Sequence, residues 1–411
     1  MKHKNIVLAI TALLAFLPMP AHGGAKYKVL HAFGDGTDGS GPFGPLILDG
    51  RGNLYGVTGT GGTGQCSDYG CGTVYELTPT AGGTWKESIL HNFQAGSDGA
   101  FPYGGLAFDA VGSLYGTLQG DNGLGGSGVF RQGFVAGGWT NSLIYTQGAG
   151  PGLLIDGLGN LYGEMGPGQE QGGAIGELSP GLGEWNYTQL YSFNGTDGLA
   201  PPTPPIWDAK GNMFGTTAAG GIRASPCQTI SGCGVVYEMI PDGDGTWSYH
   251  VLHRFASFKN DGQTPYGGLV MDSAGNFYGS TAGGGREGQG TIFQLEYVGG
   301  KWRETILYDF PSCAHGCGPN GTLALDKQGN LYGTASGGGT GKCGPYTCGV
   351  AFELSPQENG KWKYAVLYNF TAESGGYGDF YGVILDGKGN LFGVTSAFGK
   401  YGGGTAFEIT P

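Results

Sequence analysis

"AKYKVLHAF" (Ala25 to Phe33) and "GTAFEITP" (Gly404 to Pro411) stand at opposite ends of the chain, and each is half of a phrase that occurs whole elsewhere. The first recurs as "TWKESILHNF" (84–93), "TWSYHVLHRF" (246–255), "KWRETILYDF" (301–310) and "KWKYAVLYNF" (361–370), each time after a turn and a Trp. The second recurs as "GTVYELTP" (72–79), which runs on through "GGTW" into such a Trp-bearing stretch. Six units carry that stretch with their own Trp, at 85, 139, 185, 247, 302 and 362, whereas "GTAFEITP" has none after it. The two halves therefore predict one strand pair, with Tyr27 to Phe33 supplying the strand that the last unit lacks.

Between these ends the phrase D-x-x-G-N-L-Y-G occurs seven times, starting at Asp49, Asp109, Asp156, Asp208, Asp272, Asp326 and Asp386. The spacings of 60, 47, 52, 64, 54 and 60 residues are near the period of propeller blades and not of helical repeats. Each unit has four strand signals: an apolar run ending at the Asp, the run after the x-x-Gly-Asn turn, a "VYEL" run and the Trp-bearing run. Gly, aromatic and β-branched residues fill every window, so no helix is expected. The reading is an all-β, seven-bladed β-propeller with four-stranded blades, its N-terminal strand closing the last blade so that no sheet edge stays open. An open solenoid would want polar caps at both ends, and neither end has one.

Composition agrees. Of 411 residues 90 are Gly, without the three-residue period of collagen, and 12% are aromatic, against disorder. The first 23 residues have a basic start (Lys2, Lys4), an apolar run from Ile6 to Leu17 and small residues before Gly24, which reads as a secretory signal followed by a single domain over 24–411. No other apolar stretch reaches the ~20 residues of a spanning helix, so membrane insertion is not expected. A net charge of -12 without a Lys/Arg cluster excludes nucleic acid as a partner. The expectation is a secreted monomer with no anchor segment.

Alternating antiparallel strands put the second-to-third and fourth-to-first connections on one face. The second-to-third loops are long and irregular, as in 217–234, while the opposite turns hardly vary, which makes the irregular face the candidate binding face. All eight Cys fall there in close pairs: Cys66 with Cys71, Cys227 with Cys233, Cys313 with Cys317 and Cys343 with Cys348. In an exported chain such pairs predict four intraloop disulfides. Thiolate zinc sites need two pairs meeting in space, and only His315 inside "CAHGC" encourages that reading.

Comparing the units discounts most catalytic candidates. His31, His91 and His253 share one position with Tyr145, Tyr191, Tyr308 and Tyr368, and Glu76, Glu177, Glu238, Glu353 and Glu408 share another, both consistent with structural roles. The seven turn Asp residues read as Asx-type hydrogen bonders. No triad, P-loop or HExxH pattern appears, and neither catalytic residues nor a cofactor are predicted. Asp35 and Asp38 in "GDGTDGSG" lack the ligand set of a calcium loop, so no metal site is assigned. The binding candidates lie six residues before the turn Asp, at the channel mouth: Phe43, Tyr103, Tyr266 and Phe380, where sister units have Gly150, Pro202 and Asn320. Such rings can stack on sugar faces, and Asp98, Asp197 and Asp261 of the "DG" loops are candidates to accept hydroxyl hydrogen bonds. The plainer reading of the same residues is that "PYGG" packs the loop and "DG" is a turn.

"GNLYGTASGGG" (329–339), "GVAFELSP" (349–356) and "KWKYAVLYNF" (361–370) together resemble the GloVer tandem repeat of the bacterial choice-of-anchor tandem repeat GloVer-containing proteins, across essentially all of 24–411. The resemblance implies an exported, β-rich repeat protein and carries over no catalytic residues. The leading expectation is thus an extracellular module binding a glycan or protein. A propeller-type polysaccharide lyase or hydrolase is the second reading, and a purely structural surface protein the third.

Overall fold

A computed structural model describes residues 24–66, 69–120, 127–135, 137–166, 172–222, 227, 232–376 and 381–411. Residues 1–23, read above as a secretory signal, and the candidate Phe380 lie outside the described residues. Seven four-stranded antiparallel sheets form the blades of a propeller. The first blade is Ser40–Leu48, Leu54–Thr60, Thr73–Pro79 and Trp85–Asn92, hydrogen-bonded in that order. The next five repeat the order, each ending on an outer strand: Gly138–Tyr145, Trp185–Ser192, Trp247–Arg254, Lys301–Asp309 and Trp362–Asn369.

The seventh blade is completed as the sequence requires. Val383–Leu385, Leu391–Thr395 and Thr405–Thr410 are followed, across the sheet, by Lys26–Ala32. Lys26 pairs with Thr410 and Ala32 with Thr405 in antiparallel register, and the pairing continues where the Phe33 amide donates to the Gly404 carbonyl at 2.9 Å. The ring therefore presents no open blade edge at this junction.

The repeated phrase folds one hairpin seven times. Asp49 shows how: one carboxylate oxygen accepts from the Arg51 and Asn53 amides at 2.8 Å each, and the other from the Asn53 side chain at 3.0 Å and the Tyr55 hydroxyl at 3.3 Å. Gly52 sits at φ +89°, which excludes most other residues. Burial alone would raise the Asp49 pKa, but these hydrogen bonds hold it below the ordinary carboxylate range. The single Tyr55 hydroxyl proton is shared with Glu76, the nearer acceptor at 2.8 Å, so the recurrent third-strand Glu is a structural partner of the hairpin.

Blades adhere through rings. Six of the seven outer strands are followed by a Phe that is fully or almost fully buried and packs on the third-strand ring of the next blade. The pairs are Phe33 with Tyr75, Phe93 with Phe130, Phe193 with Tyr237, Phe255 with Phe293, Phe310 with Phe352 and Phe370 with Phe407, at 4.9 to 5.8 Å. Burying each Phe contributes on the order of 2–3 kcal/mol. At the seventh junction, between the second and third blades, both partners are replaced, by Gln147 and Gly176, and the Tyr187 ring occupies the space over Gly176.

All four Cys pairs are disulfides, with Cα–Cα distances of 5.1, 5.2, 4.7 and 5.2 Å. Three are buried against those Phe residues: Cys66–Cys71 with Phe93, Cys227–Cys233 with Phe255 and Cys343–Cys348 with Phe370. No helix among the described residues is long and apolar enough to cross a membrane.

Candidate functional site

The first strands converge on the axis so closely that a Cβ at Gly44 would lie 2.2 Å from the Gly104 carbonyl carbon, and one at Gly104 2.4 Å from the Gly152 nitrogen. Inside this ring is a pocket of about 1020 Å³ to which all seven blades contribute. Its wall is largely apolar, with Leu46, Leu106, Leu153, Leu269, Leu323 and Val383 among the residues facing it. The volume is at the upper end of what small-ligand sites enclose.

Three of the four aromatic candidates lie at this pocket. Phe43 packs on Tyr103 at 4.6 Å, and Tyr266, about half exposed, lines the opposite side. On its other flank Phe43 meets Tyr381 at 4.3 Å, so Tyr103, Phe43 and Tyr381 form an arc across three consecutive blades. The same three rings line a second hollow of about 480 Å³ with Thr60, Gln119 and Ser396. The arc thus divides an outer vestibule from the axial pocket.

Comparing the units for agreement does not single out Glu164. It is the fourth residue of "LYGE", where the other units have Val57, Thr117, Thr216, Ser280, Thr334 and Val394. Its carboxylate is the only one lining the axial pocket among the described residues. Space for it comes from Gly150, the third blade's substitute for the mouth aromatic, where a Cβ would lie 2.2 Å from a Glu164 carboxylate oxygen. The Gly150 amide still donates to the Glu164 carbonyl at 2.8 Å, as Tyr103 does to Thr117 at 2.9 Å, so the backbone of the blade is unchanged. Burial in this apolar wall raises the Glu164 pKa to about 7.

The structure does not bring Asp98, Asp197 and Asp261 to the pocket wall. Their carboxylates turn to the blade junctions. Asp98 faces His91 at 2.9 Å and accepts from the Asn141 side chain at 2.7 Å and the Gln94 amide at 2.8 Å. Burial opposes ionisation there, and the His91 and Asn141 bonds outweigh it and lower the Asp98 pKa. Asp197 accepts from Tyr191 and from the Asn194 amide at 2.9 Å. Asp261, 2% exposed, accepts from the Ser257 and Gly262 amides at 2.9 and 2.7 Å.

This exposes a rule that His and Tyr obey at their shared position. Where it is Tyr, the neighbouring outer strand opposes another Tyr: Tyr145 with Tyr187, Tyr191 with Tyr249, Tyr308 with Tyr364 and Tyr368 with Tyr27, stacked at 3.9 to 5.3 Å. Where it is His, a loop Asp joins it and the neighbouring strand offers Glu87, Asn141 or Glu304. The His31 ring nitrogen is 3.0 Å from Asp38 and 3.5 Å from Glu87, and that of His253 is 3.3 Å from Asp261. Burial, with the Asp38 charge second, raises the Glu87 pKa to about 8; burial and then the Asp261 charge do the same to Glu304.

Against known proteins, residues 228–411 match the Gloeobacter/Verrucomicrobia repeat. No curated protein matches the chain. Among solved structures, a protein of unknown function from Dyadobacter fermentans is 12% identical, with 94% of this chain and 99% of that one covered at a TM-score of 0.46. A protein from Thermus thermophilus, described as an oxidoreductase (glucose dehydrogenase), is 14% identical over 94% and 100% of the two chains at a TM-score of 0.45. One from Bacteroides uniformis, described as a 6-phosphogluconolactonase, is 12% identical over 78% and 83% at 0.48. The repeat matched over residues 228–411 is the one that the sevenfold phrase resembles.

Proposed function

We propose that the protein is an exported binding module that receives an extracellular glycan at the axial pocket, with Tyr103, Phe43, Tyr381 and Tyr266 stacking on sugar faces. The observation that carries this reading is the pocket itself: about 1020 Å³, apolar, rimmed by aromatic rings from four blades and, among the described residues, holding one half-buried carboxylate, that of Glu164. Aromatic faces complement the C–H faces of pyranose rings, and Glu164 is placed to accept from hydroxyls. Asp98, Asp197 and Asp261, engaged at blade junctions, would contribute through the loops they hold and not by direct contact. The four disulfides and the N-terminal signal-like stretch support export.

The hydrolase or lyase reading has less behind it. Glycoside hydrolysis takes two carboxyl groups about 5–10 Å apart, and Glu164 has no second acid beside it in the pocket wall among the described residues. Glycan arrays followed by calorimetry with the leading hit test the proposal. Saturable binding that the Tyr103→Ala, Tyr266→Ala double variant loses is the expected result. Undiminished binding by that variant rejects the site, a protein partner captured in place of any glycan rejects the ligand class, and cleavage of the hit restores the enzyme reading.

A further inference from the structure

The two His–Asp–Glu clusters answer to a different chemistry from the pocket. In each, an imidazole nitrogen, an Asp oxygen and a Glu oxygen lie within 4.8 Å of one another, and each cluster joins two blades. His253 is nine-tenths buried in its side chain and Asp261 wholly so. The His253 Nε2 and both Glu304 carboxylate oxygens are buried without a hydrogen-bond partner among the described residues, as is Glu87 Oε1 in the other cluster. Buried polar atoms are rarely left so, and here they point at one another.

The remaining junctions show that this is not what the fold demands. Four of the seven are closed by stacked Tyr pairs. The junction with His91 has Asn141 where the clusters have Glu, and there the Asn side chain donates to Asp98 at 2.7 Å and to the Asp98 carbonyl at 3.1 Å, satisfying the carboxylate directly. Replacing that donor by an acidic acceptor twice, at Glu87 and Glu304, removes the hydrogen and adds a ligand atom.

We propose that His31, Asp38 and Glu87, and separately His253, Asp261 and Glu304, each bind one zinc ion as a staple between adjacent blades. One imidazole and two carboxylates form a three-ligand zinc set with a fourth place for water. Ligands at ~2.0–2.1 Å in a tetrahedron are about 3.3 Å apart; the His31–Asp38, His31–Glu87 and His253–Asp261 separations of 3.0, 3.5 and 3.3 Å bracket that value, and Glu304 stands within 4.8 Å of its two partners, close enough for a rotamer change to bring it in. His31 lies on the clasp strand Lys26–Ala32 and Glu87 on the first blade, so the first ion sits at the ring closure. The second joins the fourth and fifth blades.

The test uses tag-free protein over residues 24–411, stripped with a chelator, exchanged into metal-free buffer and titrated with zinc chloride by calorimetry. Two equivalents bound, with a rise in melting temperature, are expected. Glu87→Gln and Glu304→Gln each lower the stoichiometry to one, the double variant lowers it to none, and Asn141→Glu raises it to three. Near-ultraviolet circular dichroism of the metal-free variants reports that they fold. A folded wild-type protein that takes up no zinc overturns the proposal, as does a folded double variant that still takes up two.

Discussion

Glycine in the repeated "LYG" is dictated by a ring that arrives from the next strand. A Cβ at Gly56 would lie 2.4 Å from the Tyr75 hydroxyl, and at Gly116, Gly215, Gly279, Gly333 and Gly393 it would meet Phe130, Tyr237, Phe293, Phe352 and Phe407 at 2.4 to 2.6 Å. In the third blade the ring is replaced by Gly176, and Gly163 has only backbone and Leu153 near it, at 3.0 Å or more. Gly116→Ala is therefore expected to destabilise by about 1–3 kcal/mol through overpacking, and Gly163→Ala by less; urea midpoints of the two variants check the order. Glu164 gives a second prediction at this scale. Its carboxyl is raised in the folded state to about 7, from 4.5, so the folded protein binds the proton more tightly than the unfolded chain does. Its contribution to stability is then complete below about pH 4.5 and is lost as pH rises to about 7, a loss of about 3 kcal/mol at most. Glu164→Gln should remove this fall, so that unfolding free energies of wild type and variant diverge between pH 5 and pH 8; parallel curves would contradict it.

At the scale of strands and loops, the disulfides do more than stiffen a surface. The Cys343–Cys348 pair packs on Phe370, and the Cys71 and Cys233 carbonyls accept from the Phe101 and Thr264 amides of the following connection at 2.9 Å each. Closing a loop of about five residues is worth about 2 kcal/mol in the chain-entropy account. The Cys343→Ser, Cys348→Ser double variant should lose at least that much, since the buried Phe370 contact loosens as well, and chemical denaturation under non-reducing conditions measures it. The same scale marks the boundary of what the sequence displays. Strand order, the Asx hairpin and the Cys pairing are local or repeated, and lining up seven units makes them visible. The partners His31 and Glu87, or His253 and Glu304, belong to different units, so alignment of the units sorts them into separate columns and hides that they meet. Glu164 is legible, as the one acid in its column, once the column is read for exceptions and not for agreement. The seventh unit shows a further limit. Counting six residues back from Asp386 gives Phe380, whereas the ring that meets Phe43 at 4.3 Å is Tyr381, because that unit has one residue fewer before its Asp.

For the whole molecule, closure decides whether the seven blades behave as an array or as a ring. In an open array each unit rests on its neighbours alone, and damage at one end frays that end. Here the strand Lys26–Ala32 belongs to the seventh blade, while the Phe33 that follows it is buried against Tyr75 of the first, and Tyr27 stacks on Tyr368 of the sixth at 3.9 Å. One segment of the chain therefore holds three consecutive blades in place. Phe33→Ala removes a fully buried ring, at about 3–5 kcal/mol, from the junction next to the one blade whose four strands are not continuous in the chain. If the ring unfolds as a unit, the loss must appear everywhere. Hydrogen exchange should quicken by a similar factor in the second strands of all seven blades, including Met213–Thr217 and Phe277–Thr281 on the far side, with a single unfolding transition at a lower midpoint. The mirror variant, Phe255→Ala, lies between the fourth and fifth blades, where Met213–Thr217 and Phe277–Thr281 flank the removed ring, and should produce the same global pattern. Acceleration confined to the first and seventh blades in the Phe33 variant would mean that the clasp dresses an edge without closing the circle.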